Sequence, residues 1–402
     1  MNSFNWECRT KVRSGEGCVR ENLEGFVREF AGSGNIMIGY GGGSVRKNGA
    51  YDDVMAVLTS MGYGHDAGEG KKIVDFPGIM SNPTLTKMLE GAELARSSNV
   101  GLIIAIGGGS VMDCCKALAV QADYDGDAWE DFWMQGKPMT HNVIPCGVVV
   151  TMPATGSEVN GCAVLTNEET RIKCDRDYPE MNPRFALLDP AYTLTMPLRQ
   201  MRAGTFDILS HIMETYFSYP EEGNPADDIS EGLMKGLIRD FRAALRDPQD
   251  MQARSNIMWA ASLAENRIIK TGKTKDFQAH NMEHQLSAYT NCNHGEGLAV
   301  LHPVYYRHIY RNGLKKFVSW AENVWQLDPA DYGSDEELAL AGISALAQFI
   351  REAGLPQTLR ELGFGEAEKA LLPEIAESCF ISGGAFRPMT AEEILEIYNE
   401  CW

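Results

Sequence analysis

The chain has 402 residues, enough for two ordinary cores, with 44% hydrophobic and 23% charged residues, the balance of a soluble globular protein. A formal net charge of −19, with no block of clustered Lys and Arg to grip a phosphate backbone, argues against nucleic acid as a partner. The first residues, Met-Asn-Ser-Phe-Asn-Trp-Glu-Cys-Arg-Thr-Lys, lack the apolar centre of a signal peptide. The longest apolar runs, near Val100–Ile106 and Val148–Val150, fall far short of the ~20 residues that a membrane span needs. Ten cysteines without CxxC spacing read as reduced thiols, which puts the expected compartment in the cytoplasm.

In chain order, the first half alternates short apolar runs with amphipathic stretches. Strands are expected over Asn35–Gly39, Ile73–Phe76, Val100–Ile106 and Gly147–Thr151. Helices are expected over Cys18–Phe30, Asp52–Met61, Leu85–Ser97 and Ser110–Gln121. Strands apolar on both faces and separated by helices predict a parallel sheet in an α/β domain.

Gly-Gly-Gly-Ser occurs twice, at Gly41–Ser44 and Gly107–Ser110, each time after a predicted strand and before a predicted helix. Missing Cβ atoms let a phosphate approach the backbone, and helix N–H groups point at the anion. Neither copy completes the GxGxxG fingerprint: Arg46 and Met112 stand where its third glycine would be. The stretch Thr151-Met-Pro-Ala-Thr155-Gly-Ser157-Glu158-Val-Asn160 puts hydroxyls and a glycine at the end of another apolar strand, where an α/β sheet has its ligand crevice. A flexible polar turn accounts for either stretch equally well. From about Thr193 the period becomes helical, with Pro303, Pro329, Pro356, Pro373 and Pro388 as punctuation. The expected domains are 1–192, α/β, and 193–402, all-helical.

Three of the eight histidines, His280, His284 and His294, lie within one short segment, and Asp207 and His211 lie upstream. Spacing i,i+4 puts Asp207 and His211 on one helical face, and does the same for His280 and His284. On a straight helix His294 would sit ~21 Å from His280, so the chain must turn back before it. The run Asn291-Cys292-Asn293 is suitable turn chemistry. Imidazoles with one carboxylate suit a divalent transition ion, without separating iron from zinc.

Taken together, Gly107-Gly-Gly-Ser-Val-Met-Asp113-Cys-Cys-Lys116, Ala154-Thr-Gly-Ser-Glu158, Leu188-Asp-Pro190, Gly204-Thr-Phe-Asp207-Ile-Leu-Ser-His211 and Glu283-His284-Gln-Leu-Ser-Ala288 resemble the iron-dependent (type III) alcohol dehydrogenases. Tyr40-Gly-Gly-Gly-Ser-Val-Arg-Lys47 resembles the branch of butanol dehydrogenases and NADPH-linked aldehyde reductases. The resemblance implies a Rossmann-like N-terminal domain, an all-α C-terminal domain, and a site in the cleft between them. It implies Asp207, His211, His280 and His294 as metal ligands, with His284 a non-ligand histidine beside the substrate. Gly108, Gly109, Ser110 and Asp113 would hold the pyrophosphate, and Gly42, Gly43 and Ser44 the adenosine ribose. Thr151, Thr155, Asn160 and Lys173 would line the nicotinamide side. Lys173 read alone is a solvated charge; only the resemblance gives it a role. Arg13-Ser14, Ser81-Asn82-Pro83 and Phe277 depart from the usual pattern, and none of them is an implied ligand.

The expected activity is reversible hydride transfer between NAD(P)H and an aldehyde or primary alcohol such as butanal or butanol, with Fe(II) as the implied ion and Zn(II) as runner-up. His284, whose ordinary pKa is near 6.5, suits a proton donor or relay. Ser44, with no acid in its loop to repel a 2′-phosphate, favours NADP(H) over NAD(H). A homodimer is implied by the resemblance alone. The alternative is a metal- and NAD-dependent lyase resembling dehydroquinate synthase, which shares the architecture. Such a lyase should show more cations around Asp207 and His211 than this segment offers.

Overall fold

A computed structural model of the chain describes residues 2–402. There are two compact units, one of Glu7–Pro197 with Gln249–Ser262, the other of residues 2–6, Leu198–Pro248 and Leu263–Trp402.

The first unit runs β1 (Lys11–Ser14), α1 (Cys18–Phe30), β2 (Asn35–Tyr40), α2 (Ser44–Lys47), α3 (Ala50–Ser60), β3 (Ile73–Phe76), α4 (Leu85–Ser97), β4 (Val100–Gly107), α5 (Gly109–Ala122), β5 (Cys146–Val150), β6 (Cys162–Asn167), β7 (Ile172–Asp177) and β8 (Phe185–Leu188). Six strands form a sheet in the order β1-β8-β5-β4-β2-β3, every pair parallel. Successive side chains of a strand face opposite ways, and the two cores divide accordingly. Ile36, Ile38, Leu102, Ile104 and Ile106 join α1 and α3 on one face. Met37, Ile103, Ala105, Val148 and Val150 join α4 and α5 on the other. The expected parallel α/β layer is therefore present, and its strands read as unbroken apolar runs because both faces are covered.

The expected central strands and helices agree with these bounds to within a residue or two, and Cys18–Phe30, Ile73–Phe76 and Leu85–Ser97 coincide with them. Two features lay outside the sequence reading. β1 and β8 are four residues each, too short for periodicity to separate them from turns. β8 is held by burial, with Phe185 stacked on Phe26 of α1 at 4.6 Å between ring centroids. The antiparallel β6–β7 hairpin turns at Arg171, whose φ of 54° is left-handed, without an Asn-Gly or Asp-Gly signal.

The second unit contains α6 (Leu198–Tyr216), α7 (Pro225–Arg246), the end of α8 (Met251–Glu265), α9 (Gln278–Thr290), α10 (His294–Ile309), α11 (Leu314–Asn323), α12 (Asp335–Glu352), α13 (Glu366–Glu377) and α14 (Ala391–Glu400). Its core holds an aromatic cluster in which Phe217 stacks on Phe317 at 4.0 Å and meets the edge of Trp320 at 5.2 Å. From Ala203 to Tyr216 every residue of α6 is buried, so its polar side chains must find partners inside the unit. No helix among the described residues is long and apolar enough to cross a membrane.

Candidate functional site

The turn required before His294 lies between α9 and α10. α9 ends at Asn291, whose φ of 54° is the left-handed conformation that asparagine tolerates better than most residues. Asn293 then caps α10, its Oδ1 accepting the Glu296 backbone N–H at 3.1 Å. His294 is thereby the first residue of α10. A Cβ on the next residue, Gly295, would collide with the carbonyl oxygen of Ala203 on α6. Glycine here lets the start of α10 rest on the α6 backbone and brings His294 to Asp207.

Asp207 Oδ1 is the centre of the cluster. It lies 3.6 Å from His280 Nε2, 3.6 Å from His294 Nε2 and 3.4 Å from His211 Nδ1. Donor atoms of Asp207, His280 and His294 all fall within 4.8 Å of one another. The His211 ring packs 4.5 Å from the His280 ring, and its Nδ1 donates to the Asp207 carbonyl oxygen at 2.8 Å.

Each of the other two rings also has its Nδ1 engaged: His280 by a Glu214 carboxylate oxygen and His294 by one of Glu283. Neutral imidazole has one N–H. With a single proton, held at Nδ1, each ring would offer its Nε2 lone pair to a cation, which has to displace any proton bound there. Burial opposes charge on Asp207, but the surrounding imidazoles outweigh it and hold the carboxyl well below its usual range. Burial keeps His211 below its ordinary pKa, whereas Glu214 and Asp207 overcome burial at His280 and raise it to about 10.

The buried atoms Asp207 Oδ1 and His280 Nε2 have no hydrogen-bond partner among the described residues. Buried polar atoms are normally satisfied. Facing lone pairs on a carboxylate and imidazoles are what a divalent cation fills, so this donor set fits an iron or zinc ion.

Glu283, His284 and His294 also bring donor atoms within 4.8 Å of one another. That grouping is the weaker candidate, because Glu283 already accepts from His294, from Ser287 and, at 3.7 Å, from Cys292. His284 is buried, with its ring 5.4 Å from that of His294 and 6.2 Å from that of His280. Phe277, left-handed at φ 57°, brings its ring 5.1 Å from His280 and 6.0 Å from His211.

Glu214 and Glu283 were not singled out from sequence as site residues. A signal for them existed: Glu214 is i+7 from Asp207 and Glu283 is i+3 from His280, each on the face of its helix that carries the histidines.

In the first unit, the second glycine motif lies at the junction of β4 and α5, as expected, with Gly108 extended and Gly109 opening the helix. A Cβ on Gly109 would lie 2.5 Å from Thr155 Oγ1, and one on Gly108 would lie 3.1 Å from Met152 Cβ. The motif therefore packs against the loop after β5, and Thr151, whose N–H donates to Gly107 at 2.9 Å, begins that loop. Ser110 is half-buried in the first turn of α5.

Asp113 is one turn further in, its oxygens accepting from Ser157 Oγ at 2.5 Å and from the Val164 N–H at 3.1 Å. Burial raises its pKa. Its carboxylate thus ties α5 to the loop rather than pointing outward. Lys116, fully buried, donates to the carbonyls of Ser157 and Cys162 and to Asn160 Oδ1, which also accepts the Cys162 N–H. Lys173 is buried on β7 and donates to Asn82 Oδ1 at 2.9 Å, so it is not the solvated charge that its type alone suggests.

The first motif is different. Gly42, Gly43 and Ser44 are exposed, and a Cβ on Gly42 or Gly43 would meet nothing within 4 Å. Packing does not demand glycine there.

Residues 9–190 match the family model "Iron-containing alcohol dehydrogenase", and residues 201–402 match "Fe-containing alcohol dehydrogenase family, C-terminal". The chain belongs to the iron-containing alcohol dehydrogenase family. Among its relatives are NADH-dependent butanol dehydrogenase A of Clostridium acetobutylicum, 37% identical with all of both chains covered, and the NADPH-dependent aldehyde reductase YqhD of Escherichia coli, 33% identical over 99% of each. The crystal structure of NADH-dependent butanol dehydrogenase A from Thermotoga maritima superposes with a TM-score of 0.91 at 30% identity, over 100% of this chain and 99% of that one.

As a member of this family the enzyme is an oxidoreductase, an alcohol dehydrogenase or aldehyde reductase of small-molecule substrates that works with iron and a nicotinamide cofactor. Membership decides for the dehydrogenase over the lyase alternative.

Proposed function

We propose that this enzyme interconverts short primary alcohols and aldehydes of the butanol/butanal type, with NADP(H) preferred over NAD(H), and with Asp207, His211, His280 and His294 holding Fe(II). The observation that carries the reading is the pair of facing, unpartnered buried donors, Asp207 Oδ1 and His280 Nε2. A bound divalent ion supplies Lewis acidity toward a carbonyl oxygen, and bound nicotinamide supplies the hydride.

The chain's own residues do the rest. The carboxylate and the three imidazoles fix the position at which charge is stabilised. His284, close to the cluster but outside its tightest group, moves the proton that the product alcohol needs and takes it back in the oxidative direction.

In the first unit, Gly108, Gly109 and Ser110 receive the pyrophosphate at the start of α5, where backbone N–H groups are unpaired by the helix. Asp113, Thr151, Thr155, Asn160 and Lys173 support the adjoining loop and the nicotinamide side. Gly42, Gly43 and Ser44 receive the adenosine ribose. No acid lies within residues 41–47, and Arg46 and Lys47 follow Ser44, which supports acceptance of a 2′-phosphate. The Arg46 guanidinium stands 3.8 Å from the centroid of the Tyr51 ring. The names of the two relatives divide between NADH and NADPH.

Steady-state oxidation of NADPH and of NADH with butanal, after reconstitution of metal-free enzyme with Fe(II) or with Zn(II), tests the reading. Higher kcat/KM with NADPH and with iron is expected; a clear preference for NADH overturns the cofactor assignment, and one for zinc the metal assignment. Ten free thiols support a reducing, cytoplasmic compartment. The homodimer rests on resemblance and is tested by light scattering of the eluted protein.

A further inference from the structure

Glu214 and Glu283 are both completely buried, where a carboxylate loses several kcal/mol of hydration unless compensated. Both face an imidazole. Glu214 accepts the Ala279 N–H at 2.7 Å through Oε1 and faces His280 Nδ1 through Oε2, with His302 Nε2 4.0 Å from that same Oε2. Glu283 accepts from Ser287 and Cys292 through Oε1 and faces His294 Nδ1 through Oε2. His211 Nδ1 instead donates to the carbonyl oxygen of Asp207 at 2.8 Å, with the carboxylate of that same residue at 3.4 Å. An ionised carboxylate only accepts, so the ring nitrogen that faces it must carry the proton.

We propose that Glu214 and Glu283 are positioning residues that lock His280 and His294 with the proton on Nδ1, aim both Nε2 atoms at Asp207, and make these two rings more basic donors than His211. Neither glutamate would be a ligand of the ion. Each acts through its histidine, at opposite sides of the cluster: one reaches across from α6 to α9, the other spans the turn between α9 and α10. A Cβ on Gly297 would lie 2.9 Å from Glu283 Cγ, so the glycine after Glu296 leaves the room that this glutamate occupies. The proposal rests on the ligand reading given under Proposed function.

The test uses the full chain, stripped of metal and titrated with Zn²⁺ against a chromophoric chelator. Glu214→Gln and Glu283→Gln keep the shape and remove the charge. Gln at 283 can keep its oxygen toward Nδ1–H with its NH2 at the Ser287 hydroxyl, whereas Gln at 214 must set its NH2 against the Ala279 N–H or against Nδ1–H. Each should weaken Zn²⁺ binding by about 10- to 100-fold, and in Glu283→Gln the melting point of the metal-free protein should stay near that of the wild type. Affinity within twofold of wild type in both variants overturns the proposal.

Asp207→Ala and His280→Ala, measured alongside, separate the two readings. If they bind Zn²⁺ like wild type, the ligand set itself is wrong; if they lose it while the glutamine variants do not, only the positioning role falls. Imidazole ¹⁵N shifts of the Zn²⁺-loaded wild type, in which each liganding ring holds one proton and only its position is read, provide a readout that needs no variant to fold. Protonated Nδ1 on His280 and His294 is expected, and an unprotonated Nδ1 on either ring overturns the assignment.

Discussion

Asp207, midway along α6, and His294, the first residue of α10, bring Oδ1 and Nε2 to 3.6 Å. Two consequences separate the residues of the cluster. Asp207→Ala should weaken metal binding by at least ~100-fold, since loss of a direct donor exceeds the effect of losing an outer partner. His284→Ala should leave metal content unchanged and lower turnover by about 10²- to 10⁴-fold, the range for a general acid or base. Elemental analysis with steady-state kinetics measures both, and a metal-depleted His284→Ala enzyme would show that ring to be a ligand.

Gly295 sets how closely α10 approaches α6. Gly295→Ala puts a methyl group against the Ala203 carbonyl, which cannot swing away as a side chain can. The expected cost is about 3 kcal/mol of stability, together with weaker metal binding as His294 moves off. Chemical unfolding of the metal-free protein and a Zn²⁺ titration check the two parts. A variant as stable as wild type would show that the helices have slack here.

The two Gly-Gly-Gly-Ser copies should respond differently to the same change. Gly109→Ala collides with Thr155 and should lower stability by about 1–3 kcal/mol. Gly42→Ala enters open space and should leave unfolding unaltered, yet weaken NADPH binding by about tenfold, or about 1.4 kcal/mol. Fluorescence titration with NADPH, beside a thermal melt, distinguishes them. Unchanged NADPH affinity in Gly42→Ala would remove this loop from the cofactor site.

His302 provides a pH-dependent contribution. Its Nε2 pairs with Ser210 Oγ at 2.6 Å, and burial lowers its pKa from 6.5 to about 4 although Glu214 and Asp207 pull upward; His280 and His211 add to the lowering. Below pH 6.5 the unfolded chain binds a proton that the folded chain refuses until about pH 4. Stability from this group is therefore complete above pH 6.5 and is lost as the pH falls through that window, by about 3 kcal/mol in all. Metal-free wild type should lose that much more stability than His302→Gln between pH 6.5 and 4. Parallel stability curves for the two proteins would contradict it.

Composition, period and motif order were sufficient for a parallel α/β layer followed by helices, for the strand–glycine–helix junctions, and for the turn that His294 requires. Those features are local: they depend on which residues sit within a few positions of one another, and apolar runs with glycine and asparagine state them directly. The pairing of β1 with β8, the inward role of Asp113 and the burial of Lys173 depend on elements far apart in sequence, and four-residue strands or single polar side chains carry no period to announce them.

The same holds at the cluster around Asp207. Helical spacing put Asp207 with His211 and His280 with His284, but only packing of α6 against α9 and α10 determined that Glu214 would meet His280 and Glu283 would meet His294. A buried carboxylate looks identical in sequence to a solvated one; what distinguishes them is the low-dielectric interior, in which a charge persists only if the fold delivers a partner to it.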